Sequence, residues 1–394
     1  MASACGGTDA HSAVGPAARS SGKLAPLLVS PTGSDGNPCS AASPCQSFQR
    51  AYDVAQPGQV VLVAGGNYPQ EAISGTKTGP KVVFRPAAGA VVNVDWFSIH
   101  ASQLEVRDLT AGGFDAFADS NGFTARNLDI GPFYIYGSSN ISIIGGDIGP
   151  SYNPGGTTPV AYIAYGDGPD GSRVAPHNVL IDGALFHDFR RGSPLDHMEW
   201  LQVSGGDGIT IRNSRFTHCD IFDIFFTEWS GPAPPKNILL ENDFFDVASI
   251  DGVPGNTYYS LRFSDNMSQY ENITMRYDSF AQQYSIDVSP VINFQITANV
   301  GPFPGCVEGI VYSHNVWDKG RCGATDRQGK LGFVDQANFN LHLARGSAAI
   351  RAGDPKDFPR DDIDGDKRPT RVAPDAGADQ HNWVQKRTKR SRGH

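Results

Sequence analysis

Ile209-Thr210-Ile211-Arg212-Asn213-Ser214-Arg215-Phe216 decides the fold. Apolar side chains at i and i+2 mark a short strand, and the polar pair Arg212-Asn213 marks a corner. Phe216, at i+7, opens a second short strand beyond it. The pattern recurs seven times, as Leu104/Val106/Ala111, Phe123/Ala125/Ile130, Ile141/Ile143/Ile148, Val179/Ile181/Phe186, Ile209/Ile211/Phe216, Ile238/Leu240/Phe245 and Ile273/Met275/Phe280. At the corners stand Arg107-Asp108, Arg126-Asn127, Gly145-Gly146, Asp182-Gly183, Arg212-Asn213, Glu241-Asn242 and Arg276-Tyr277. No copy is long enough to bury its own apolar face, so the copies must stack on one another.

Leu104, Phe123 and Ile141 are 19 and 18 residues apart, whereas the next copy, at Val179, follows after 38. A rung of roughly 20 residues, decorated by insertions, explains both spacings. The expected fold is all-β: a single-stranded right-handed parallel β-helix whose rungs stack at ~4.8 Å with their apolar residues in register. A β-propeller needs about 40 residues and four antiparallel strands per blade, which the tight early spacing denies. Composition agrees, because 45 Gly and 27 Pro with only 19% charged residues favour short strands and turns over surface helices.

Three regions are expected. Residues 1–24 form a flexible export tether, in which Ala2-Ser3-Ala4-Cys5-Gly6-Gly7 resembles the end of a bacterial lipoprotein signal. Residues 25–380 form the coil, and 381–394 a basic, disordered tail around Lys386-Arg387-Thr388-Lys389-Arg390. Ser47 to Ala55 reads as a short amphipathic helix covering the N-terminal end, with Val60-Val61-Leu62-Val63 as the first buried strand. Cys39 with Cys45 and Cys306 with Cys322 are spaced to close two disulfides, and Cys219, in an apolar strand, reads as a buried thiol. Disulfides imply an oxidising compartment, so the protein is expected to be secreted or held at the cell surface, and to be a monomer. No run approaches the ~18 apolar residues of a membrane span. The formal charge of −9, with a basic tail, makes the body acidic, so nucleic acid is not its expected partner.

Several segments carry a resemblance. Val29-Ser30-Pro31-Thr32-Gly33-Ser34-Asp35, the helix with Val60 to Tyr68, Ser347-Ala348-Ala349-Ile350, Asp362-Ile363-Asp364-Gly365-Asp366 and Pro374-Asp375-Ala376-Gly377-Ala378 together resemble secreted bacterial β-helix proteins of the pectate-lyase-like superfamily. The resemblance spans about residues 27 to 380. It implies a polysaccharide partner and an extracellular polysaccharide-cleaving enzyme. β-Elimination on a uronate-containing glycan leads the expectation, with a glycoside hydrolase using paired carboxylates and a non-catalytic carbohydrate-binding coil as alternatives.

A site on such a coil must lie outside its dry core. Three insertions, Gly166 to His177, Ser230 to Lys236 and Asp265 to Glu271, are expected to leave one edge. Taking Leu201/Val203, Ile224/Phe226 and Leu261/Phe263 as inward puts Trp200/Gln202, Asp223/Phe225 and Ser260/Arg262 outward. Tyr162, Arg191, Trp200, Gln202, Phe225 and Glu228 are therefore expected to bind sugar, through stacking and hydroxyl hydrogen bonds. His197, Glu199, Asp220, Asp223 and Arg262 are the catalytic candidates, drawn from a dense cluster that also holds His187, Asp188, Arg190, Asp196 and His218. Carboxylates on adjacent rungs would stand about 5 Å apart, near the separation a retaining hydrolase uses. A lyase instead neutralises a uronate with Ca²⁺ or Arg and removes the acidified proton with a base. Arg262 sits in a setting similar to the catalytic Arg of alginate-lyase-like and chondroitinase-B-like coils. Those enzymes also carry a Lys on the preceding rung; here Phe226-Thr227-Glu228-Trp229 stands there, so either His197 or His218 replaces it as base or the mechanism is a different one. An acidic body repels polyuronates unless Ca²⁺ intervenes, which makes Ca²⁺ the candidate metal. Asp362-Ile363-Asp364-Gly365-Asp366 has the oxygen spacing of a Ca²⁺ loop but lacks its downstream Glu, and reads more simply as a capping turn.

Overall fold

The computed structural model describes residues 24–153, 159–191, 199–246, 259–264, 269–288 and 291–381. Strand pairing confirms the coil. Phe123 pairs with Leu104, Ile141 with Val179, Val179 with Ile209, Ile209 with Ile238 and Ile238 with Ile273, all in parallel. Beyond the corner, Ala111, Ile130, Ile148, Phe186, Phe216, Phe245 and Phe280 align rung on rung in the same way. The seven sequence triplets are thus seven layers of one core, in which Phe186, Phe216, Phe245 and Phe280 stack ring on ring at 4.4–5.2 Å.

Each rung visits three faces. Face I comprises Glu71–Gly75, the start of Phe97–Arg107, Phe114–Ala116, Phe133–Tyr136, Ala161–Ala164, Glu199–Val203, Phe222–Phe226, Tyr259–Ser264 and Ser285–Asp287. Face II carries the i and i+2 residues, in Asn121–Arg126, Ser139–Ile144, His177–Asp182 and their successors, and face III the i+7 residues. The polar pair between faces II and III turns because one of its residues takes positive φ: Asp108, Asn127, Gly145, Gly183, Asn213, Asn242 and Tyr277 lie at 47–75°. Asn, Asp and Gly tolerate that left-handed conformation best, which is why they recur there.

Inside this corner runs a polar ladder. Oδ1 of Asp243 accepts the N–H of Ser214 at 2.7 Å, Asp278 that of Asp243 at 3.0 Å, and Asn299 that of Asp278 at 2.8 Å. Asn315 and Asp326 continue it at 2.9 and 3.0 Å. All five side chains are buried, and each satisfies a backbone donor that the turn leaves without a carbonyl.

The N-terminal cap is a helix, Phe48–Val54, begun by Ser47, whose hydroxyl accepts the N–H of Arg50 at 3.1 Å. Phe48, Ala51 and Tyr52 seal the first rung. Val60–Val63 is not the first strand, however: Leu27–Val29 pairs with it in parallel, and Val29 is fully buried. Both expected disulfides are present, and Cys219 is a buried free thiol.

The C-terminal motifs do more than cap. Gly377 N–H bonds to Ala298 O, Ala378 N–H to Ser279 Oγ, and Arg215 to Asp364, so this segment runs back along the II/III corner as a strap. Its anchor is the buried Arg368, which donates to Asn242 Oδ1, Gly377 O and Asp375 O and lies over the Tyr277 ring at 4.6 Å. Asp362 accepts the N–H groups of Asp364, Asp366 and Gln380, the pattern of an Asx capping turn.

Candidate functional site

Face I carries the insertions on its edge toward face II, as expected: 166–177, 227–235 and the stretch after Ser264 all join a face I strand to a face II strand. Its outward side is a single register column. Ser98, Asp115, Tyr134, Tyr162, Gln202, Phe225, Arg262 and Ser285 pair one above the next. At ~4.8 Å per rung, Asp115 and Ser285 lie about 29 Å apart.

Aromatic side chains crowd the N-terminal half of this column. Tyr134 and Tyr136 stack at 6.0 Å, Tyr136 meets Tyr162 edge-on at 6.2 Å, and Trp96 lies 6.2 Å from Tyr134. Phe117 joins Tyr136 to His100, with which it stacks at 4.4 Å. All are half-buried, offering a ring surface to solvent. Polar partners fix them: the Trp96 indole donates to Asp115 Oδ2 at 2.8 Å, and His100 Nδ1 pairs with Asp119 at 2.9 Å. Burial raises the Asp115 carboxyl above its usual range and pushes the Tyr136 phenol up to about 12, so the phenol stays protonated as a hydrogen-bond donor. Of these residues only Tyr162 was singled out from sequence. The signal for the rest was present in Phe133-Tyr134-Ile135-Tyr136, whose strict alternation puts both tyrosines outward, but this rung bears no large insertion to draw attention to it.

The C-terminal half departs from expectation. Trp200 is fully buried, packed against Phe186 and Phe189 at 5.9 and 5.6 Å, and so is not a sugar platform. Alternation counted back from Leu201 fails because the chain rounds the corner from face III at this point, and the indole swings into the core. Asp223 is likewise fully buried, and neither carboxylate oxygen has a hydrogen-bond partner among the described residues. Burial, with Asp246 nearby, holds its carboxyl well above the usual range, and no glycan can reach it. Glu199 and Asp220 are buried too, as are Gln202, which donates to Ser204 Oγ at 2.9 Å, and Phe225. Over Phe225 stands Trp229, edge-on at 5.4 Å and 71% exposed, so the tryptophan that meets solvent here comes from the loop and not the strand. Glu228 beside it is half-buried.

Arg262 does lie outward, at the C-terminal end of the column. Its Nε and one terminal nitrogen both donate to Asp287 Oδ2 at 2.9 Å, and Asp287 Oδ1 accepts the Ser285 hydroxyl at 2.7 Å. Among the described residues it is the one Arg or Lys in the outward column. His218 does not meet it. That imidazole is on face III, paired through Nδ1 with Asp188 at 2.7 Å, and Asp188 also accepts from His187 at 2.8 Å. The hydrogen bond from His187 first, and then that from His218, hold the Asp188 carboxyl below its usual range, as a structural clasp would. Asp196, His197 and the Arg191 side chain lie outside the described residues.

A calcium ion needs six to eight oxygens. The described outward carboxylates of face I, Asp115 and Asp287, are far apart and tied to Trp96 and Arg262, so they do not form such a cage. Elsewhere, His342, Asp364 and Asp379 come within 4.8 Å of one another at the strap. His342 Nε2 already bonds Asp364 at 2.7 Å, and Arg215 takes the other Asp364 oxygen.

The register defines a parallel β-helix whose outward face I carries a cluster of half-buried aromatic rings at one end and the Arg262–Asp287 pair at the other. No family model matches the chain, and no curated protein matches it. Among solved structures it is similar to a rhamnogalacturonan lyase, with TM-score 0.47 and 13% identity over 78% of this chain and 90% of that one. It is also similar to a pectate lyase, at 0.44 and 14% over 91% and 96%. A third is XylC in complex with xylose, at 0.43 and 10% over 90% and 98%. These are likenesses of shape, and the stacking of rungs stands on the strand register alone.

Proposed function

We propose that the protein holds a polysaccharide along the outward side of face I and cleaves it by β-elimination at the Arg262 end. One observation carries the holding: Tyr134 and Tyr162 stand half-exposed one above the other in the register column, Trp96 and Tyr136 flank them with neighbouring rings about 6 Å apart, and Trp229 lies further along. Sugar C–H faces stack on such rings, while phenols and carboxylates bond the hydroxyls. Arg262 supports the elimination, in which His197 is proposed as the base that takes the proton α to the neutralised carboxylate while the C–O bond to the leaving sugar breaks. The Arg262 guanidinium is the cation on the column able to neutralise a uronate carboxylate, with Asp287 orienting it. Glu199, Asp220 and Asp223 are buried, which leaves the paired-carboxylate hydrolase reading without an accessible pair there.

Incubation with pectic, alginate and neutral polysaccharides, in calcium and in chelator, tests this by following ultraviolet absorbance of unsaturated sugars beside reducing ends. Unsaturated ends that vanish in Arg262→Ala support elimination. Reducing ends alone point to hydrolysis, and silence across the panel with retained glycan binding leaves a binding coil.

A further inference from the structure

Face I stops before the other two faces. Ser285–Asp287 pairs only backward, with Tyr259–Ser264, whereas face II continues through Val291–Thr297 and Ile310–Ser313 and face III through Val300–Gly301 and Val316–Trp317. Where the next face I strand would lie, residues 302–309 cross the end of the column without forming a strand. This crossing is held firmly. Cys306 is bonded to Cys322, the Phe303 N–H bonds Asp318 at 2.8 Å, and the Val307 N–H bonds the Tyr312 hydroxyl at 3.1 Å.

Between the last strand and this wall lies a cavity of about 210 Å³, lined by Tyr259, Gln283, Ser285, Asp287, Gly305 and Val307 among others. Its lining is rich in hydroxyl, carboxamide and carboxylate groups, and it is small beside the ~300–1,000 Å³ of sites for drug-sized ligands. Asp287 links it to the column, since the same carboxylate holds Arg262. A chain lying along the aromatic column therefore runs into a dead end that has room for one ring and the hydrogen-bonding groups to hold it.

We propose that this cavity is a terminal subsite that seats the last sugar ring of a bound glycan, so that the protein recognises chain ends and not chain interiors. The inference rests on face I being the glycan platform. Oligogalacturonate, oligoalginate and xylo-oligosaccharides are titrated in three forms: free, with a bulky fluorophore on the reducing end, and with a bulky group on the non-reducing end. For the sugar that binds, one blocked end is expected to weaken binding at least about tenfold and the other to be tolerated. Val307→Trp, which fills the cavity, and Tyr259→Ala, which strips its side, should weaken the free form to a similar extent while the thermal midpoint holds. If both blocked forms bind like the free one and Tyr134→Ala still weakens binding, the terminal subsite is wrong and the platform stands. If none of the oligosaccharides binds, both are wrong.

Discussion

Oδ1 of Asp278 accepts the backbone N–H of Asp243 at 3.0 Å, while Oδ2 of each carboxyl is buried with no partner. Asn299 and Asn315, higher in the same ladder, use the equivalent position to donate to Met275 O and Ile296 O at 3.2 and 2.9 Å. An Asp can imitate that donor only when protonated. Burial raises both carboxyls well above the usual range, and Asp278 raises Asp243 further. Asp278→Asn supplies the missing N–H at every pH. It should stabilise the coil at pH 8 by about 1–3 kcal/mol, the cost of one unsatisfied buried group, which thermal or denaturant unfolding will read as a higher midpoint.

These two carboxyls, with other buried ones, set the pH dependence. Unfolded, they ionise near pH ~4; folded, they keep their protons to higher pH, with Asp246 and Glu71 raised by burial to about 7 and Asp379 to about 6. Across that interval the native state binds more protons than the unfolded chain, so stability falls as pH rises. The thermal midpoint of the unmodified protein should therefore decline from pH 5 to pH 8, and Asp278→Asn should flatten the decline. A midpoint that rises over this range would contradict the ladder's protonation.

How far the sequence could be read follows from which interactions are local. The i, i+2, i+7 triplets were legible because corner and core repeat within eight residues. Face II and III layers beyond Phe280 were missed for particular reasons. Phe294/Ile296 lacks its third apolar member because Gly301 stands there, where a Cβ would come 2.8 Å from Cβ of Phe280. Ile310/Tyr312/Trp317 hides behind a tyrosine. The candidate site was half legible: alternation placed Arg262 outward but failed at Trp200, Asp223 and Ser260, which share one register position near the start of their strands and are all fully buried. The strap was not legible at all, since its anchor joins Arg368 to Asn242 across 126 residues.

Two tryptophans separate packing from recognition. Trp200→Ala empties a core site and should cost about 3–5 kcal/mol of stability. Trp229→Ala removes an exposed ring, so it should leave the unfolding midpoint nearly unchanged while weakening glycan binding. Equal effects of the two on binding at matched folding would contradict the assignment of Trp229 to the surface of the site.

Arg262 and Asp287 act as a pair. Arg262→Ala should abolish the formation of unsaturated sugars, whereas Asp287→Asn, which keeps a hydrogen-bond acceptor beside the guanidinium, should lower the rate more mildly. Initial rates by ultraviolet absorbance compare them, with circular dichroism confirming the fold. Unaltered rates in Arg262→Ala would remove this residue from the chemistry.

The placing of a glycan along face I rests on its aromatic rings. Its most direct test is the affinity of the double variant Tyr134→Ala/Tyr162→Ala for the oligosaccharide that the unmodified protein binds, measured by isothermal titration. These half-exposed rings lie outside the core, so the fold should persist while affinity falls by about 2 kcal/mol or more, roughly thirtyfold. Unchanged affinity in a folded double variant would mean that the glycan is held elsewhere.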